Sequence, residues 1–367
     1  MKKQRVKKFL FLCITNFTVV SIFIATIFLL PLVFIYSKKN DNSLSDKFFG
    51  SKSSFQGIVT LWNVDTFEGG TASRENFLEK VAVEFERQNK GVLIKVENLS
   101  LEQFNANLKA GKIPDIFTYG MGVSNYLSKY MTQISLSQNN LKSNFYASGL
   151  KNGQLLAVPW AFGCYSLITT VDRLDKFDLS YQGQLRDVAF NLAQDITNKK
   201  KTKHIYSLTL GTNQFTSSVD AFSRVFENGL VGLVQNGVVD SDYSNQTSYQ
   251  AYVNFISNKA NCLLGTTRDI ARMQNRLKAG SESFVYYDIV SEYTDLVCFA
   301  SITTQNLQLK DICNNFINLL ISSKIQQKIS SIGLFSPTKE ICYKDDLLYA
   351  SFEQLLNEQT VVKNVFL

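Results

Sequence analysis

Phe77, Val81 and Phe85 recur every fourth residue, with Glu and Lys among the positions between them. That spacing places the three apolar side chains on one face and predicts a helix from about Arg74 to Gln88. The β-rich run Ile58 to Trp62 precedes it, Gly91 can stop it, and Val92 to Val96 reads as the next strand. Ser100 and Gln103 have the spacing of a capping box, which opens a second helix ending near Gly111 with Pro114 close behind. Ile116 to Thr118 is the third strand. The order strand, helix, strand, helix, strand predicts a parallel sheet covered by helices, with ligands beyond the carboxyl ends of its strands. Those ends are Asn63 to Gly70 and Tyr119 to Gly122.

After Val158-Pro159-Trp160 the alternation starts again. A strand is expected at Tyr165 to Val171, helices near Leu185 to Ile196, Val219 to Asn228 and Ser248 to Lys259, and a strand at Cys262 to Leu264. Gly265-Thr266-Thr267 then caps a further helix. Strands at Phe284 to Asp288 and Leu296 to Ile302 follow, with helices at Leu309 to Ser322 and Asp346 to Asn357. Two alternations within 367 residues predict two lobes with separate cores, because single cores stop growing at about 250 to 300 residues.

The N-terminal residues follow neither pattern. Phe9 to Tyr36 contains no charged residue and exceeds the roughly 20 residues needed to cross a bilayer. A cleavable signal would have an apolar core of about 7 to 15 residues and a small-residue cleavage site, so an uncleaved transmembrane anchor is expected. Five basic residues precede the segment and two follow it, which places the N-terminus in the cytosol and the rest outside. The same Lys2, Lys3, Arg5, Lys7, Lys8, Lys38 and Lys39 account for the net charge of +7, so that excess does not imply nucleic acid. Residues 37–54, rich in Ser, Lys, Asn and Asp, read as a tether.

Catalytic chemistry finds little support. The single histidine, His204, adjoins the basic run Lys199 to Lys203 and reads as a solvated position. No phosphate-binding loop is present, and Cys164, Cys262, Cys298, Cys313 and Cys342 form no close-spaced pair. They are expected mostly as unpaired core residues. No catalytic residue, metal site or cofactor is predicted. A glycosidase needs only two carboxylates, and Glu68, Asp115, Asp269 and Asp288 stand at predicted element ends, so a surface glycosidase stays open beside a binding role. A solute sensor is the other alternative. Asp115, behind a proline at the start of a strand, is expected to serve structure.

Several landmarks resemble the extracellular solute-binding proteins of ABC transporters, in particular the family 1 group that binds sugars and oligosaccharides. Ile58 to Trp62 and the helix end Glu84-Phe85-Glu86-Arg87-Gln88-Asn89 look like that family's first strand and helix. Ala110-Gly111-Lys112-Ile113-Pro114-Asp115-Ile116-Phe117, Gly153 to Trp160, and Leu263 to Asp269 are similar to further family segments in the same order. The resemblance covers most of residues 55 to 340. It implies a two-lobed α/β fold of the periplasmic-binding-protein type (type II), here with an N-terminal transmembrane helix. The charge pattern and composition described above make residues 1–8 cytoplasmic, 9–36 the anchor and 37–54 the linker; the lobe bounds come from the resemblance. Residues 55–160 with 294–332 form lobe 1, residues 164–288 with 337–367 form lobe 2, and crossings fall near 159–163, 289–293 and 333–337. The implied role is capture of a small polar solute, a sugar first of all, by hinge closure, with ABC permease subunits as partners. Two features depart from the family. Cys13 lies too early for a lipoprotein anchor, and Thr267 and Arg268 stand where some relatives carry a tryptophan.

A sugar offers hydroxyls at its rim and apolar faces, so its site needs aromatic platforms beside carboxylate, amide and guanidinium groups. The expected ligand-binding residues are Trp62, Asn63 and Glu68 after the first strand, and Trp160, Phe162 and Tyr165 around the hinge. Thr266 and Arg268 at the later strand-to-helix turn complete the set.

Overall fold

The structure is a computed structural model. It describes residues 51–137, 140–176, 206–225, 230–235, 237–278, 285–339, 343, 350, 352, 356 and 359–367. The segment Phe9 to Tyr36, His204 with its basic run, the expected helix at 185–196 and most of the one at 346–357 lie outside the described residues. Among those described, no helix is long and apolar enough to cross a membrane. Among the described residues, those in 57–85 and 93–367 belong to one compact unit and those in 51–56 and 86–92 to a smaller one. The larger unit carries the groove described below.

Thirteen strands are described: β1 Ser51–Val64, β2 Asn89–Asn98, β3 Ile116–Tyr119, β4 Leu150–Lys151, β5 Gln154–Leu155, β6 Val158–Phe162, β7 Tyr165–Thr170, β8 Tyr206–Leu210, β9 Ala260–Thr266, β10 Val285–Ile289, β11 Tyr293–Thr294, β12 Val297–Ile302 and β13 Val361–Val362. They build a five-stranded sheet ordered β2-β1-β3-β12-β6 and a four-stranded sheet ordered β10-β7-β9-β8, with two small ladders, β11-β13 and β4-β5. The first strand is longer than expected and begins inside the predicted tether.

Sequence pattern and structure agree closely in the first lobe. The helix Arg74–Gln88 buries Phe77, Leu78, Val81, Ala82 and Phe85. Phe77 stacks on Trp160 at 5.9 Å, and Phe85 meets Phe316 edge-on at 5.5 Å. Ser100 and Gln103 form the capping box, each side chain bonded to the other's backbone amide. The helix they open, Leu101–Lys109, lays Phe104 on Phe117 at 5.2 Å. Asp115 fixes the register between β1 and β3 before their ladder starts. Its carboxylate accepts the Thr60 amide and hydroxyl, both at 2.8 Å, and the pairs Leu61 with Ile116 and Trp62 with Phe117 follow.

The sheets are mixed, whereas the alternation predicted parallel ones. β1 and β3 are parallel, but β12 runs antiparallel to both β3 and β6, and β7 runs antiparallel to β9 and β10. The reversed strands are those that follow a passage between the sheets. The chain passes from β6 to β7 at Gly163 and Cys164, and from β10 to β12 through residues 290–296. A strand arriving from the neighbouring sheet enters without a crossover helix, so nothing imposes parallel order on it. Residues 334–338 behave differently from the expected third crossing: Phe335 pairs with Phe162 and Thr338 with Leu141. The described residues beyond 337, expected with the second lobe, bond instead to first-lobe and crossing residues. The Val365 amide donates to the Ser148 carbonyl, and Val361 pairs with Tyr293. Alternating apolar residues identify an element but not its sheet, so only the family resemblance assigned these residues to the second lobe.

Asp295 lies near the end of the second passage and is fully buried. It accepts the Tyr165 hydroxyl at 2.8 Å, the Ser217 amide at 2.6 Å and the Tyr293 hydroxyl at 3.2 Å. Burial raises its pKa above the ordinary value of 3.8, opposed by the bonds from Ser217 and Tyr165. The four described cysteines are free and buried, and desolvation raises their thiols, Cys298 to about 11 and Cys262 to about 12.

Two outcomes follow for stability. Asp115→Ala removes the acceptor of two bonds in a partly buried site, and should lower unfolding free energy by about 1 to 3 kcal/mol in urea titration. For Asp295 the folded-state pKa exceeds the unfolded one, so its contribution is fully present below 3.8 and is lost as pH rises through the folded value. The stability of the native chain relative to Asp295→Asn should therefore increase as pH falls from 7 towards 4, measured by thermal melts across that range.

Candidate functional site

The loop between β1 and the helix Arg74–Gln88 is fixed by the helix's own first residue. Arg74 is 5% exposed, donates to the Phe67 carbonyl at 2.5 Å and pairs with Asp65 at 3.1 Å. Its guanidinium also covers the Phe67 ring at 4.2 Å. A cation at a helix start opposes the helix dipole, and the Asp65 carboxylate offsets that cost. Further along, the Thr71 amide donates to the Ile332 carbonyl at 2.8 Å. Gly70 has φ +80, and a Cβ there would meet the Ile332 carbonyl oxygen at 2.1 Å, so only glycine lets the loop pass this close.

The facing wall comes from the second lobe, where β9 gives way to the helix Thr267–Lys278. Asp269 sits in its first turn and accepts the Thr266 amide at 2.9 Å and an Arg272 N–H at 3.0 Å. Burial raises the Asp269 pKa, while the Thr266 and Arg272 bonds pull it down. Arg268 and Arg272 project towards the first lobe, where the Glu68 carboxylate lies 3.3 Å from Arg272 and 3.8 Å from Arg268.

Residues 65–74 on one side, with Asn213 and Arg268 on the other, enclose an open groove of about 570 Å³. That volume lies within the range of about 300 to 1,000 Å³ usual for small-molecule sites. A recess of about 20 Å³ adjoins it, lined by Tyr165, Thr216, Thr266 and Leu296 among others, with room for about one water. The groove offers carboxylate, guanidinium, amide and hydroxyl groups from both lobes, which suits hydrogen bonding to a polar solute.

The expected ligand-binding residues divide into two groups. Glu68 and Arg268 line the groove, Glu68, Thr266 and Tyr165 line the recess, and Glu68 and Arg268 are half-exposed. Trp62, Asn63, Trp160 and Phe162 are buried away from both. Trp62 donates to Glu97 at 2.9 Å and meets Phe104 edge-on. Asn63 spends its amide on Asp65 and Asn98 and accepts from Thr118. Trp160 faces Phe77, and Phe162 packs between Phe145 and Phe335. Sequence reasoning missed Asp65, Arg74, Asn213 and Arg272. Asp65 lies within the strand-end stretch Asn63 to Gly70, and Arg272 carried a local signal in its spacing three residues beyond Asp269, which suits an ion pair along one helix face. Among the described residues no group of His, Cys, Asp and Glu side chains is arranged to hold a metal ion.

No protein-family profile matches the sequence, nor does any curated protein. Solved structures do match. The GacH receptor of Streptomyces glaucescens, determined unliganded and with acarbose, is 16% identical with a TM-score of 0.60, over 84% of this chain and 88% of that one. The cyclic alpha-maltosyl-1,6-maltose binding protein of Arthrobacter globiformis is 12% identical with a TM-score of 0.61 over the same shares, 84% and 88%. A family 1 extracellular solute-binding protein of Bifidobacterium longum subsp. infantis is 13% identical with a TM-score of 0.57, over 82% and 88%. The chain therefore has the two-lobed, mixed α/β fold of these solute-binding proteins.

Proposed function

We propose that the chain is the extracellular substrate-binding component of an ABC importer, capturing a sugar or oligosaccharide between its lobes by hinge closure. The observation that carries this reading is the groove of about 570 Å³ whose polar side chains come from both lobes. Its setting, a fold shared with proteins that bind acarbose and a cyclic maltosyl-maltose, points the same way. Glu68, Thr266 and Arg268 supply the solute contacts, joined by Asp65 and Asn213. Tyr165 serves the hinge by holding Asp295. The charge-free run Phe9 to Tyr36 with its basic flanks supports a single-pass anchor in the cell membrane, which would keep the binding lobes beside permease subunits. Hinge closure, with no bond broken, is the event the partner would read, so the chain is proposed as a binding protein without catalytic activity.

Isothermal calorimetry of the full chain in detergent against maltose, maltotriose, raffinose and chitobiose tests the reading. At least one saccharide should bind, and Arg268→Ala should weaken that binding by about tenfold or more, the value of a hydrogen bond from a charged group. A folded chain that ignores every saccharide but hydrolyses a chromogenic glycoside would overturn it.

A further inference from the structure

Arg272 stands behind the groove and has more support than its task as a helix surface residue requires. One guanidinium nitrogen donates to Asp269 at 3.0 Å. The guanidinium carbon lies 5.4 Å from the Tyr252 ring centre and 6.0 Å from that of Tyr249. Asp269, Tyr249 and Tyr252 all belong to the second lobe. The other terminal nitrogen reaches out of that lobe to Glu68, at 3.3 Å, on the loop that forms the first lobe's wall of the groove.

We infer that Arg272 is a positioning residue, a clasp held ready by its own lobe that engages Glu68 when the lobes close and so biases the chain towards closure before any solute arrives. The inference rests on the hinge-closure reading above. Three features assign the role to Arg272 and not to Arg268. Arg268 approaches Glu68 only to 3.8 Å. The planar guanidinium of Arg272 is already oriented by a carboxylate and two rings, so less rotamer freedom is lost when the cross-lobe contact forms. When the lobes part, Arg272 keeps Asp269 as a partner, so opening leaves no unpaired buried charge. The clasp is consequently weak and reversible. With Glu68 49% and Arg272 26% exposed, the pair is worth a few-fold in an equilibrium constant, which tilts the balance without locking it.

The test uses no solute, so its failure is separable from failure of the saccharide titrations. Nitroxides carried by non-canonical residues at the exposed positions Val83 in the first lobe and Val231 in the second report the interlobe distance by pulsed electron resonance in the full chain. Glu68→Gln and Arg272→Gln should each reduce the short-distance population about two- to fivefold, and the double variant should lose no more than either single one. Sodium chloride at ~1 M, where the screening length falls to about 3 Å, should shift the native chain likewise and leave the variants unmoved. Distance distributions unaltered by either substitution, or effects that simply add in the double variant, would overturn the clasp. If Arg272→Gln melts early, Glu68→Gln alone decides, since Glu68 is half-exposed on a loop that Arg74 holds.

Discussion

The buried Asp295 carboxylate is the contact on which the arrangement of the lobes depends. It lies where the chain is leaving one sheet for the other, a stretch whose backbone cannot satisfy itself through a long ladder. The short pairing of β11 with β13 covers only two residues there. Asp295 instead gathers polar groups from three directions: Ser217 just before the helix Ser218–Val225, Tyr165 at the start of β7, and Tyr293 on its own segment. A buried carboxylate with three donors is tolerable, and one that loses them is costly. The passage therefore has one well-satisfied geometry, and the strands on either side inherit it.

From that fixed passage the groove follows with few further choices. Its first wall is a loop drawn tight by Arg74 and by the close approach of Gly70 to Ile332, so the wall is a rigid edge. Its second wall is a strand-to-helix turn whose first-turn carboxylate, Asp269, satisfies the Thr266 amide and steers Arg272. Both walls are strand ends, where a twisted sheet leaves side chains free of its own ladder. The position of the groove is thus a consequence of topology, and the identity of its side chains is where a particular chemistry enters.

Much of this was legible in the sequence, and the reason is local. The stripe Phe77, Val81, Phe85 and the box Ser100 and Gln103 each act over a few residues, and each forms as written; Asp115 serves structure as expected, but through Thr60 on the neighbouring strand. The strand-end loop carrying Glu68 could also be located, since alternation fixes where strands stop. The two tryptophans were misleading because an indole offers the same apolar face to a sugar as to a phenyl ring. Trp62 and Trp160 meet Phe104 and Phe77, and nothing adjacent in sequence announces those partners. The antiparallel β12 and the first-lobe contacts of the last residues were hidden for a related reason. Both depend on which sheet an element joins, a choice made by contacts more than a hundred residues apart.

The groove's charges also constrain what can enter it. In its lining Asp65 is paired with Arg74 and Glu68 lies against Arg268, and behind the lining Arg272 reaches Glu68 while paired with Asp269, so three carboxylates in and behind the walls meet three guanidinium groups. A solute of net charge would have to break one of these pairs or remain uncompensated beside them, at a cost that grows wherever water is excluded. An uncharged polyhydroxy solute escapes that penalty. It can donate to the outer lone pairs of Asp65 and Glu68 and accept from Arg268 while the existing pairs persist, because each of these ionic groups has more hydrogen-bonding positions than its partner occupies. The neutral balance of the walls, more than any aromatic platform, is the feature that suits the proposed sugar.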